Sequence, residues 1–125
     1  MRGGDWITYR LPPDPELKSA GIYVWRIGGD VYVGKAANLE SRLREYLNNI
    51  RKIELGLPYR KSKPDAFRRV HRALAAAKAQ GEVVEWEVLE FCETGMRLDR
   101  ERHWISRLKP GLNGIRRVQV EKTND

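Results

Sequence analysis

The chain has 125 residues, 41% of them hydrophobic and 33% charged, and its formal net charge is +7. This length supports one domain with a modest core, and no apolar run approaches the length of a membrane span, so we expect no membrane partner. The positive charge is typical of proteins that bind a polyanion. Cys92 is the only cysteine, which rules out an intramolecular disulfide and a cysteine-cluster zinc site and predicts a cytoplasmic location.

The first part of the chain predicts a β-hairpin. Gly28-Gly29 separates two runs of apolar and β-branched residues, which is a strong signal for a two-residue turn. A turn there pairs Trp25 with Tyr32 and makes Tyr23 and Tyr32 diagonal neighbours on one face. Taken singly, each tyrosine is most simply a packing residue, but together they place two phenols side by side.

A helix is predicted to begin at Asn38, a good N-cap residue that follows Lys35 by three positions. Its apolar stripe has Arg42 and Tyr46 on or beside it, so a cation and a third phenol border the buried face. Arg42 is otherwise explained by a stem that covers the core while the guanidinium reaches water. The stripe consists of Leu39, Leu43, Tyr46, Leu47 and Ile50.

The middle of the chain holds most of the excess positive charge. Eight Lys or Arg residues lie between Arg51 and Arg72 against two acidic residues, a pattern typical of a surface that contacts a phosphate backbone. A solvated loop and helix face is the alternative. The predicted contact residues are Arg51, Lys52, Arg60, Lys61, Lys63, Arg68, Arg69, His71 and Arg72.

Within this region, residues 58–64 are predicted to form a loop, and a helix is predicted to begin at Asp65. The helical spacing places His71 on the same side as Phe67, Val70 and Leu74. A lone histidine on a buried face is commonly a satisfied core residue, which is the alternative to a contact between His71 and a phosphate.

A third strand is signalled by the alternation around Trp86, and a helix follows it. The apolar stripe of that helix also contains Glu101, and a carboxylate there costs several kcal/mol unless it is neutral, paired or bound to a cation. An ion pair with an arginine is therefore one explanation of Glu101, and a metal ligand is another. The turn after Pro110 brings Asn113 back towards the helix. The stripe is formed by Leu98, Trp104, Ile105 and Leu108.

Together these elements predict an α+β fold, with a small three-stranded antiparallel β-sheet flanked by helices. We expect residues 1–125 to form one domain, with a core of about residues 19–115 and extensions at both ends. Trp6, in the N-terminal extension, is expected to pack back onto this core.

These elements, in this order, resemble the GIY-YIG endonuclease family. Its two defining motifs stand here as Gly21-Ile22-Tyr23 and Tyr32-Val33-Gly34. Lys35, Arg42 and Tyr46 look especially like the nuclease domain of the incision subunit of bacterial nucleotide excision repair. Many other relatives carry histidine at the position of Tyr46. The resemblance implies the GIY-YIG nuclease fold, a DNA substrate and a role in DNA repair.

The resemblance also implies roles for individual residues. The predicted catalytic set is Tyr23, Tyr32, Lys35, Arg42, Tyr46 and Glu101, with Asn113 as a supporting residue. The positive residues of the middle region then become predicted DNA contacts.

Phosphodiester hydrolysis needs an activated water, charge neutralisation on the phosphate and stabilisation of the departing oxyanion. Glu101 offers one carboxylate to a single divalent ion, Mg²⁺ or Mn²⁺, and Arg42 offers planar donors to the phosphate. We hypothesise that Tyr32 is the proton acceptor and that Tyr23 orients it. A phenol is a weak base at neutral pH, so this role requires nearby positive charge from Lys35, Arg42 or the metal.

The leading hypothesis is thus a divalent-metal-dependent DNA endonuclease. The alternatives are a non-catalytic nucleic-acid-binding module and a nuclease subunit that is active only within a repair or restriction complex. Because one small domain leaves little room for targeting, we expect limited sequence specificity, a homo-oligomer or a targeting partner.

Overall fold

The computed structural model of the protein describes residues 6–113. The strands are β1 (Ile7–Arg10), β2 (Gly21–Ile27), β3 (Asp30–Ala36) and β4 (Val84–Phe91). The helices are α1 (Leu39–Leu55), α2 (Arg69–Ala79) and α3 (Arg97–Leu108). Single 3₁₀ turns lie at Thr94–Met96 and Gly111–Asn113. Within this part of the chain, no helix combines the length and the apolar character needed to cross a bilayer.

The four strands form one mixed sheet in the order β1-β4-β2-β3. β2 pairs antiparallel with both β3 and β4, in agreement with the predicted antiparallel arrangement, but β1 adds in parallel to the outer side of β4. The prediction of a three-stranded antiparallel sheet is therefore wrong, because the segment interpreted as an N-terminal extension supplies a fourth strand. Of its four residues only Ile7 is buried, so this short strand adds little to the core pattern from which the other strands were predicted. Trp6 packs into the core, as expected.

The β2–β3 hairpin has the predicted register, with Trp25 opposite Tyr32 and Gly28 in the left-handed region at φ 60°. Alternation then gives the sheet two different faces. One face carries Tyr23 and Trp25 and packs against α1 and α2 to form the larger core. The opposite face carries Ile22, Val24 and Val33 and packs against α3.

Helix α1 begins as predicted, because Asn38 Oδ1 accepts a hydrogen bond from the backbone N–H of Ser41 at 3.0 Å. Its apolar stripe is narrower than predicted, since Leu47 is exposed. Leu98 is also exposed, so the buried side of α3 is formed only by Trp104, Ile105 and Leu108.

Helix α2 begins at Arg69, so the prediction of a start at Asp65 is wrong. Arg68 is extended, with φ −77° and ψ 163°, and its backbone N–H donates to Nδ1 of His71 at 3.1 Å. His71 thereby caps a helix that begins four residues after the predicted start. Before it, Phe67 packs its ring against Tyr59 at 5.4 Å, which holds the segment in a loop.

Candidate active site

The glycines of both motifs are required by close packing. Tyr23 lies opposite Gly34, and a Cβ on Gly34 would collide with the hydroxyl oxygen of Tyr23. The Tyr23 phenol therefore lies directly on the backbone of β3. A Cβ on Gly21 would lie 2.5 Å from the carbonyl oxygen of Glu90 and 2.9 Å from Leu39 Cδ1. Both glycines thus let aromatic or backbone atoms approach where no other residue fits.

The three tyrosines predicted to be catalytic meet on the face covered by α1 and α2. Tyr23 Oη and Tyr46 Oη are 2.7 Å apart, and the ring centroids of Tyr23 and Tyr32 are 6.5 Å apart. Tyr23 and Tyr46 are fully buried, and burial raises the pKa of both phenols well above the ordinary value. Both therefore stay protonated at neutral pH, whereas Tyr32 is the one of the three that is partly exposed to solvent.

Two arginines place positive charge beside these rings. Arg68 Nη1 donates to Tyr32 Oη at 3.0 Å, and its guanidinium carbon lies 5.7 Å from the Tyr32 ring centre and 6.0 Å from that of Tyr46. Arg42 pairs with Glu45 at 3.4 Å. The charges of Arg42 and Arg68 lower the pKa of Tyr23, although burial outweighs them. Sequence reasoning assigned Arg68 to phosphate contact, because nothing in the sequence shows that it reaches Tyr32.

Lys35 and Glu101 form a second group. Lys35 Nζ lies 3.3 Å from Glu101 Oε1, and the Glu101 side chain is only 15% exposed. The predicted alternative of an ion pair thus accounts for the carboxylate on the helix stripe, with a lysine as its partner. This contact joins two residues that are 66 positions apart and that were both named as catalytic.

The two groups lie on opposite faces of the sheet. Lys35 alternates with Gly34, so it points to the α3 face, whereas Tyr32 points to the α1 and α2 face. Among residues 6–113, Lys35 is the ion-pair partner of Glu101, and no hydrogen bond joins Glu101 to a phenol. The two groups share one edge strand, where Tyr32 and Lys35 are about 10 Å apart along β3.

Glu90 anchors α3 and was not foreseen from the sequence. Its two carboxylate oxygens accept from Arg100 at 2.8 and 2.7 Å, and Oε1 also accepts from Trp104 Nε1 at 2.8 Å. The hydrogen bond from Arg100 holds the pKa of Glu90 below its usual value. The anchor lies next to Glu101, so it fixes the helix that carries this residue. The register of β4 shifts just before Glu90, at the irregularity opposite Ile22 and Tyr23. Simple alternation along the sequence therefore does not predict the face of the sheet on which Glu90 lies.

Asn113 binds the edge strand β3 through its side-chain amide. Its Nδ2 donates to the carbonyl oxygen of Val33 and its Oδ1 accepts from the N–H of Val33, both at 2.7 Å. The side-chain amide therefore takes the place of a neighbouring strand. Asn113 holds the strand between Tyr32 and Gly34 in position.

Residues 59–64, in the positively charged middle of the chain, form a turn that backbone and side-chain contacts brace, here called the braced basic turn. Arg60 and Lys63 form an isolated bridge, and the N–H of Tyr59 donates to the carbonyl oxygen of Pro64 at 3.0 Å. Lys52 Nζ donates to the carbonyl oxygen of Tyr59 at 3.0 Å, and the Arg60 guanidinium lies 5.2 Å from the Tyr59 ring centre. Predicted phosphate-contact residues that are exposed are Arg51, Arg60, Lys61, Lys63, Arg68, Arg69 and Arg72.

His71 is only 3% exposed, and its Nδ1 is occupied by the backbone N–H of Arg68. Burial, followed by the charges of Arg68 and Arg72, lowers the pKa of His71 to about 4. The ring is therefore neutral at neutral pH and packs edge-on against Tyr46, with centroids 5.3 Å apart. This placement favours the structural interpretation of His71 over a phosphate contact.

The donor set for a metal is small. No cluster of three or more His, Cys, Asp or Glu residues occurs within residues 6–113. Glu101 alone offers a largely shielded carboxylate beside the predicted catalytic residues. One carboxylate fits a Mg²⁺ ion that keeps most of its water, but not an ion caged by protein ligands.

Comparisons with known proteins agree with the motifs. A family model described as the GIY-YIG catalytic domain matches residues 19–115. The solved catalytic domain of the homing endonuclease I-TevI is 23% identical, with 77% of this chain and 95% of that chain covered and a TM-score of 0.53. A mutant catalytic domain of the intron endonuclease I-TevI is 22% identical, with coverage of 83% and 98% and a TM-score of 0.51. Both show likeness of fold. A search of curated proteins finds no match.

Proposed function

Because this chain belongs to the GIY-YIG family of nucleases, we propose that it is an endonuclease that hydrolyses phosphodiester bonds of DNA. The observation that carries the proposal is the use of one edge strand by both groups of side chains. Within four residues β3 presents Tyr32 on one face and Lys35 on the other, and the Tyr23 hydroxyl lies over Gly34 between them. A phosphate bound at this edge of the sheet could contact the tyrosines on one face and Lys35 and Glu101 on the other.

On the tyrosine side, Tyr32 acts in its phenolate form and accepts the proton of the attacking water. Its partial exposure supports this role over Tyr23 and Tyr46, which are buried and keep their protons. Tyr46 holds the hydroxyl of Tyr23 through their 2.7 Å hydrogen bond, and Tyr23 orients Tyr32. Arg42, one helical turn before Tyr46 and 34% exposed, binds the negative charge that develops on the phosphate.

On the α3 side, the Lys35 ammonium stabilises the departing oxyanion. Glu101 would hold one Mg²⁺ or Mn²⁺, which when bound supplies positive charge at the phosphate. Lys35 lies on the same carboxylate, so the lysine and the cation must share it. Mn²⁺ binding by the free protein, followed by electron paramagnetic resonance, tests this directly. Glu101→Gln should lose it, whereas Asp99→Asn, on the exposed side of the same helix, should keep it.

DNA binding is assigned to the braced basic turn and the start of α2. Exposed side chains there would contact the phosphate backbone without reading bases, which supports limited sequence specificity. We further propose that residues 1–125 act as one nuclease domain in the cytoplasm, in DNA repair. A second copy or a targeting partner would then select the DNA.

The decisive experiment is a cleavage panel on linear, nicked, branched and single-stranded DNA with Mg²⁺ present or chelated. Glu101→Ala and Arg42→Ala should each lower cleavage about 10²- to 10³-fold while DNA binding persists. Asp99→Ala is the matched control on α3 and should cleave normally. Cleavage that survives both chelation and Glu101→Ala would exclude the proposed site.

A further inference from the structure

Two consecutive arginines, Arg68 and Arg69, lie at the start of α2, and the fold uses them differently. The Arg68 side chain turns back to the tyrosines and donates from Nη1 to Tyr32 Oη at 3.0 Å. Its guanidinium faces the rings of both Tyr32 and Tyr46. Arg69, the first residue of the helix, is exposed. Both arginines are exposed, but within residues 6–113 the hydrogen bond and the ring contact to Tyr32 come from Arg68 and not from Arg69.

The backbone of Arg68 is fixed by the core. Its N–H donates to the buried His71 ring at 3.1 Å, and its carbonyl accepts from the N–H of Arg72 at 3.2 Å. The His71 ring in turn packs on Tyr46. The backbone of Arg68 is thus held at the start of α2, beside the tyrosine cluster. Arg68 nevertheless lies 36 residues from Tyr32 in sequence.

This contact has a chemical consequence for the Tyr32 oxygen. Arginine stays charged at every working pH, so Arg68 can donate this hydrogen bond to Tyr32 Oη whether the phenol is protonated or ionised. The bond fixes the direction of the hydroxyl and stabilises negative charge on that oxygen. Lys35, which was expected to supply this charge, lies on the other face of the sheet.

From these observations we infer that Arg68 is a positioning residue that acts through Tyr32, and not one of the phosphate-backbone contacts. This inference rests on the proposed nuclease function. A backbone contact contributes to affinity and to its salt dependence, whereas a positioning residue contributes to turnover. The two roles therefore predict different measurements.

The test measures kcat, KM and DNA affinity across a salt series for the wild type, Arg68→Ala, Arg68→Lys and Arg69→Ala. Arg68→Ala should lower kcat about 30- to 100-fold, with KM and the slope of log affinity against log salt unchanged. Arg68→Lys keeps the charge but not the planar donor geometry, so it should recover part of kcat. Arg69→Ala is the binding comparator and should weaken affinity and reduce the salt slope by about 1. The inference is overturned if Arg68→Ala reduces the salt slope and leaves kcat intact.

A second readout does not depend on activity. In protein labelled with ¹³C-tyrosine, the Tyr32 Cζ resonance is assigned by its loss in Tyr32→Phe. It should move in Arg68→Ala and stay in place in Arg69→Ala. If the resonance does not move in Arg68→Ala, the inference is overturned, even though the wild type cleaves DNA. If the resonance moves in Arg68→Ala but the wild type cleaves no DNA, the nuclease proposal is overturned instead, while the contact between Arg68 and the Tyr32 hydroxyl is confirmed.

Discussion

The two sides of strand β3 are built by different forces. On the α1 and α2 side, Tyr23 and Tyr46 are fully buried, and the clearance that Gly34 provides lets Tyr23 lie on the backbone of β3. On the α3 side, Glu101 and Glu90 are placed by ion pairs that remain partly exposed. The first side therefore depends on shape and tolerates almost no added volume, whereas the second depends on charge and tolerates changes of size better than changes of charge.

The largest effect should come from adding one methyl group to the buried side. Gly34→Ala forces a Cβ into the Tyr23 phenol, so we expect a loss of about 2–3 kcal/mol in the free energy of unfolding and of nearly all cleavage. Gly95→Ala is the control, because nothing lies within 4 Å of its added Cβ. Urea unfolding measures the loss of stability, and single-turnover kinetics measure the loss of cleavage. Equal behaviour of the two variants would contradict the packing argument.

A pH series examines the same side through His71. Its pKa is about 4 in the folded chain and 6.5 when unperturbed, so between these values the unfolded chain binds a proton that the folded chain does not. Stability should therefore fall as pH drops from about 6.5 to 4, by up to about 3 kcal/mol. His71→Gln keeps an acceptor for the Arg68 N–H and cannot titrate, so its unfolding curve should lose this component.

His103→Gln is the control for the pH series, since His103 is exposed on α3 and should leave the acid-dependent loss in place. The interpretation is rejected if the His71→Gln and wild-type stabilities run parallel from pH 7 to pH 4.

A smaller effect is expected on the charged side. Glu90→Gln keeps the shape but removes the charge that binds Arg100, so we expect a loss of about 1–2 kcal/mol in stability and about tenfold in cleavage through misplacement of Glu101. Glu87→Gln is matched to it, because Glu87 is ion-paired on the same strand but with Arg26 and not with α3. If both variants cleave equally well, Glu90 has no part in positioning α3.

Local sequence signals predicted the buried side well. The turn at Gly28-Gly29 and strict alternation gave the register that brings Tyr23 and Tyr32 together, and Asn38 marked the start of α1. These features depend on residues close in sequence. The catalytic roles of these residues remain a prediction.

Features that depend on distant residues were missed. β1 pairs with a strand that begins at Val84, and its own four residues are too few to mark a strand without that partner. The stripe of α3 indicated that Glu101 needs a partner, but an amphipathic pattern does not tell which face of a sheet a helix covers. Arg68 was missed for the same reason, since its contact with Tyr32 exists only once α2 is in place.

The amide of Asn113 has a consequence for assembly. A strand at the rim of a sheet offers unused N–H and C=O groups, and another polypeptide can add to them and start aggregation. At Val33 both groups are occupied by one side chain. The rim that bears Tyr32 and Lys35 is thereby closed to β-augmentation at its centre, while the side chains around it remain available to a nucleic acid.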